Sequence, residues 1–98
     1  MIFPSKEQVC LTLDILQEEC GEAVVAASKI KRFGPNDVNP VDGSHNVDNL
    51  IQELGDVLCM IELSSEMLGV DMMLIREARD RKLIKLHEFA PTLFTDPS

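Results

Sequence analysis

The stretch from Asn46 to Leu68 limits the fold more than any other part of this 98-residue chain, because apolar side chains surround almost its whole helical circumference. Plotted at about 100° per residue, Leu50, Ile51, Leu54, Val57, Leu58 and Ile61 form one broad face. Met60, Leu63 and Met67 form a second, beside Glu53 and Asp56, and only a narrow arc through Asp48, Gln52, Glu62 and Glu66 is plainly polar. Such a helix must be covered on both sides. It is expected at the centre of a bundle, against its own chain on one side and another subunit on the other. The Met60, Leu63 and Met67 face is expected to lie exposed unless a second subunit covers it.

Local signals divide the rest of the chain into helices. Pro4-Ser5 followed by Gln8 reads as an N-cap with its capping-box partner, and the helical period then runs to Phe33 with Gly21 as the only breaker. Gly34-Pro35-Asn36-Asp37 ends that helix, and the Pro, Asn, Asp and Gly through Gly43-Ser44 predict a loop. The second helix spans about Asn46 to Leu68, with Gly69 suited to its C-terminal turn. Asp71 caps a third that reaches about Glu88, and the tail from about residue 89, with Pro91 and Pro97, is expected to be irregular. No alternating strand pattern or repeat occurs, so the expectation is one all-α domain over residues 1–98.

Composition narrows the partners. A formal charge of −8 argues against nucleic acid and anionic membranes, which both call for a basic surface. Cys10, Cys20 and Cys59 lack C-x-x-C spacing and are expected as reduced packing residues. With no run of about 18 apolar residues and no h-region of a leader, the expected location is the cytoplasm.

Acidic residues carry the chemistry. Glu18-Glu19-x-x-Glu22 and Glu53-x-x-Asp56 each place two carboxylates three residues apart, on one face of a helix. Laid side by side, the two helices make a cup of four carboxylates, whose hard oxygen ligands suit Mg²⁺ or Mn²⁺. Glu19 falls near the middle of the apolar face formed by Ile15, Leu16, Ala23, Ala26, Ile30 and Phe33. A glutamate there needs a partner, since an unpaired buried carboxylate costs several kcal/mol or more. A di-iron site is disfavoured because neither cluster supplies a Glu-x-x-His pair, and His45 and His87 read as surface residues. On the third helix, Arg79 lies within the stripe of Met72, Ile75, Leu83 and Leu86, with Lys82 at its border. These cations either face a polyphosphate beside the cup, or snorkel past the core or pair with the acids directly.

Together, Glu18-Glu19-Cys20-Gly21-Glu22 and Glu53-Leu54-Gly55-Asp56-Val57 resemble the EExxE…ExxD signature of the MazG-like, all-α nucleoside triphosphate pyrophosphohydrolases. The likeness spans about Leu13 to Leu63 and reaches more loosely through Lys82-Leu83-Ile84-Lys85. Leu86 stands where the family frequently has an arginine, and the loop between the clusters is long for the pattern. The resemblance implies Mg²⁺-dependent cleavage of nucleoside triphosphates to the monophosphate and pyrophosphate, as nucleotide-pool house-cleaning, with Mn²⁺ as a substitute. It also implies that Glu19, Glu22, Glu53 and Asp56 hold the metal and that Glu18 stands near the attacking water, which makes Glu18 and Glu19 the catalytic pair. Lys82 and Arg79, then Lys29 and Lys31, are the phosphate-binding candidates. A homodimer or homotetramer is implied, with the nucleotide where subunits meet.

Two other readings fit the same residues. One is a noncatalytic helical module that binds partners through its apolar faces; the other is a dUTPase-like specialist that keeps the chemistry and narrows the base.

Overall fold

The computed structural model describes residues 3–97 and contains three helices and one short 3-10 turn. Helix α1 spans Lys6–Phe33. It starts where the sequence places it, because the Ser5 hydroxyl accepts the Gln8 N–H at 3.1 Å while the Gln8 side chain accepts the Ser5 N–H at 2.7 Å. It stops at Gly34, whose φ of 91° disfavours a side chain and whose N–H reaches the Ile30 carbonyl at 2.8 Å.

The α1–α2 loop is pinned by its own polar groups. Asn39 accepts the Val41 N–H at 2.8 Å, Asp42 accepts the Ser44 N–H at 2.9 Å and its hydroxyl at 2.6 Å, and a single antiparallel bridge joins Val38 to His45. The Ser44 hydroxyl and N–H hold the Asp42 carboxyl below its ordinary value. Helix α2 follows over Asn46–Leu68 and ends at left-handed Gly69. Asp71 caps α3, Met72–Phe89, by accepting the Met73 N–H at 2.9 Å. The tail is less irregular than expected: Pro91–Phe94 forms a 3-10 turn that stacks Phe94 on His87 at a centroid distance of 3.7 Å.

Helix α1 packs along α2, whereas α3 packs chiefly against the tail turn. The result is a slab of 52 × 40 × 16 Å with a radius of gyration of 17.0 Å. A compact chain of this length would have about 13 Å. Its accessible surface of 7744 Å² likewise exceeds the roughly 5,600 Å² of a compact monomer of this mass.

One expectation is corrected here. Met60 is 7% exposed and Leu63 and Met67 are half-buried, while Ile51, Leu54 and Leu58 are more than half exposed. The face of α2 that its own chain leaves uncovered is therefore the Ile51, Leu54 and Leu58 face. Glu53 and Asp56 turn toward α1, and Met60, at the same helical azimuth, turns with them. Cys10, Cys20 and Cys59 are exposed instead of packed, and Phe33 lies 56% exposed under the Arg32 guanidinium.

Candidate metal centre

The α1–α2 pairing brings both acidic clusters to one place. One carboxylate oxygen from each of Glu19, Glu53 and Asp56 lies within 4.8 Å of the others, and all three residues are half-buried. Glu53 Oε2 is fully shielded from solvent and has no hydrogen-bond partner among the described residues. An acceptor buried in that way calls for a cation or a donor, so the residues present fit a divalent metal. Asp56 is steadied from its own helix by the Gln52 amide, which donates to Oδ1 at 2.9 Å.

Beside this group opens a cleft of about 490 Å³, lined in part by Glu18, Glu22, Lys29, Asn49, Gln52 and Glu53. Glu18 and Glu22 are exposed along it. Of the four carboxylates expected as ligands, three converge; Glu22 stands at the edge, close enough for its charge to act on Glu19 and Glu53.

Electrostatics agree with the geometry. Desolvation, then the charges of Asp56, Glu53, Glu22 and Glu18, push the Glu19 carboxyl above its ordinary value. Desolvation, then Glu22 and Asp56, do the same to Glu53. A carboxyl whose pKa is raised by folding binds more protons folded than unfolded, so it lowers stability as pH rises through that interval. The metal-free protein should therefore gain thermal stability from these two groups as pH falls from 7 toward roughly 5. With Mg²⁺ bound the trend reverses, because protons then compete with the cation for the same oxygens. Thermal unfolding across that range, with chelator and with Mg²⁺, checks both signs; parallel curves would count against a shared site.

The basic candidates are not gathered here, Lys29 excepted. Arg79 pairs with its neighbour Asp80 at 3.0 Å and Lys82 lies 5.0 Å from the centre of the Phe89 ring, both on α3. Lys31 lies exposed on the last turn of α1. Because α3 does not pack along the α1–α2 pair, its cations do not line this cleft within one chain. Sequence reasoning placed Gln52 on the wet arc and passed over Asn49. Their spacing from the acids was the available signal: Gln52 precedes Asp56 by four residues and Asn49 precedes Glu53 by four, one helical turn in each case.

The model of the MazG nucleotide pyrophosphohydrolase domain matches residues 8–94. No curated protein and no solved structure matches.

Proposed function

Since the chain belongs to the MazG nucleotide pyrophosphohydrolase family, we propose that it hydrolyses (deoxy)nucleoside triphosphates at the α phosphorus with Mg²⁺, releasing the monophosphate and pyrophosphate in nucleotide-pool house-cleaning. The observation that carries the reading is the convergence of Glu19, Glu53 and Asp56 around the orphaned Glu53 Oε2, beside a cleft of about 490 Å³. These three residues, with Glu22, would hold the cation. When bound, it would offset polyphosphate charge and lower the pKa of a water.

The chain's own groups account for the remaining steps. Glu18 accepts the proton of the water whose oxygen bonds to the α phosphorus. The bond from that phosphorus to the bridging oxygen breaks, and pyrophosphate leaves with its electron pair. Lys29, which lines the cleft, offsets phosphate charge from within the same chain.

Arg79 and Lys82 come from a second copy. The slab shape and the excess surface of roughly 2,000 Å² per chain support a homodimer or homotetramer that covers the Ile51, Leu54 and Leu58 face. Such an assembly also gives the α3 stripe the packing that its own chain does not supply.

Hydrolysis in ¹⁸O-water tests the chemistry. The label should enter the nucleoside monophosphate and pyrophosphate should accumulate in equal amount. Formation of a nucleoside diphosphate and orthophosphate, or no hydrolysis of any nucleotide with Mg²⁺ or Mn²⁺, would refute the proposal.

A further inference from the structure

Asn49 stands in the wall of the acidic cleft, one turn of α2 before Glu53, and its amide is oriented by hydrogen bonds that can run in only one direction. An ionised carboxylate only accepts, so the Ser44 hydroxyl donates to Asp42 at 2.6 Å. With its single proton spent there, the Ser44 oxygen accepts from Asn49, whose Nδ2 lies 3.0 Å away. This fixes which end of the amide is the nitrogen. The relay begins in the α1–α2 loop and ends in the cleft, although neither Asp42 nor Ser44 lines it.

Asn49 keeps two groups unspent. Its Oδ1 and its second side-chain N–H have no hydrogen-bond partner among the described residues, and the residue is half-buried. An amide with one acceptor and one donor left is matched by a hydroxyl, which accepts and donates through one oxygen. Of the other polar side chains in the cleft, ionised Glu18, Glu22 and Glu53 only accept and Lys29 only donates, while Gln52 is exposed and tied to Asp56 at 2.9 Å. Position says which hydroxyl. Four residues of helix rise roughly 6 Å, so Asn49 stands about that far along α2 from Glu53, and Val25 and Ala26 of α1 add apolar wall to the same cleft. The first part of a nucleotide beyond its phosphates is the sugar, an apolar ring that carries hydroxyls.

We propose that Asn49, held in place by Ser44 and Asp42, binds the 3′-hydroxyl of the nucleotide sugar, so that the site discriminates against 2′,3′-dideoxynucleotides whatever their base. The inference rests on the pyrophosphohydrolase reading for the placement of the phosphates beside Glu53. A dideoxy sugar sets a C–H against the half-buried amide, which then loses water without replacement. Ser44 and Asp42 are positioning residues: without the Ser44 hydroxyl the Asn49 amide is free to turn.

Equilibrium binding with Mg²⁺ tests this without turnover, using the 2′-deoxynucleoside monophosphates of adenine, cytosine, guanine and thymine, each against its 2′,3′-dideoxy counterpart. The base is the same within each pair, so its contribution cancels. For every base that binds, the 3′-hydroxyl should improve affinity about tenfold in the parent protein. Asn49→Ala should abolish the preference by weakening the deoxy member and leaving the dideoxy member unchanged. Ser44→Ala keeps Asn49 itself and should narrow the preference, and it serves as the second variant should Asn49→Ala not fold. A purely structural role for Asn49 predicts equal losses within each pair, since an unpinned loop does not distinguish the two sugars. Equal affinities in the parent, no binding by any monophosphate, equal losses in Asn49→Ala, or an unchanged preference in Ser44→Ala would overturn the proposal. A preference that Asn49→Ala removes, with no hydrolysis of any triphosphate, would leave the hydroxyl site standing and sink the catalytic reading; hydrolysis to monophosphate and pyrophosphate with no preference in binding would do the opposite.

Discussion

Replacing Glu53 with Ala or Gln should lower turnover by at least about a hundredfold and abolish the rise in melting temperature that Mg²⁺ produces in the parent protein. Glu53 is chosen first because its Oε2 is the buried acceptor without a partner, so it has the most to lose when the cation is absent. Glu19 and Asp56 should follow closely, since one oxygen of each lies within 4.8 Å of the other and of a Glu53 oxygen. Glu22→Ala should also slow turnover about a hundredfold if the exposed carboxylate swings in to complete the site. Without metal, the order inverts: the Glu53 and Glu19 variants should melt above the parent, because desolvation and mutual repulsion raise the pKa of both groups in the metal-free fold. Turnover measured beside thermal unfolding, with and without Mg²⁺, separates a lost ligand from a lost fold. Near-normal rates in any two of the four variants would overturn the site, and a metal-free variant less stable than the parent would contradict the electrostatics. A noncatalytic helical module would show neither the rate loss nor the metal response.

The second large effect concerns assembly. Light scattering at micromolar concentration should give a mass of two or four chains, and the double change Leu54→Lys with Leu58→Lys should shift it to one. Both side chains are more than half exposed in the single chain, so the substitutions leave the α1–α2 packing in place while putting charge into the face proposed to meet a second copy. Activity should fall with assembly, because Arg79 and Lys82 do not line the cleft of their own chain. Met60→Lys should behave differently. Its side chain is 7% exposed, and a buried ammonium costs several kcal/mol, so that variant should lose its fold before its partner. A stable, fully active monomer in the parent protein would sink the proposed assembly, and an active monomer in the double variant would separate assembly from catalysis.

Helix boundaries were readable from the chain because each depends on contacts a few residues apart. Ser5 meets Gln8 within one turn, Gly34 and Gly69 take φ values of 91° and 67° that disfavour a side chain, and Asp71 caps the N–H two residues on. The all-α class follows from the same local signals. The pairing of the two acidic clusters was also legible, since two carboxylates three residues apart share a helical face whatever the helix packs against, and Glu19 interrupts an apolar one.

Tertiary structure decided what periodicity leaves degenerate. Helix α2 is apolar on two faces, and hydropathy does not rank them; packing against α1 placed Met60 inside and left Ile51, Leu54 and Leu58 outside. It also set the ligand geometry, drawing Glu19, Glu53 and Asp56 together and leaving Glu22 at the edge, because residues three apart share a face but still stand about 60° apart around the helix. The reach of α3 was beyond the sequence for the same reason. Arg79 and Lys82 occupy a stripe that looks core-facing, yet α3 packs chiefly against the tail turn, and a helix's apolar period says which face is apolar, not which direction the helix takes after a turn such as Gly69-Val70-Asp71.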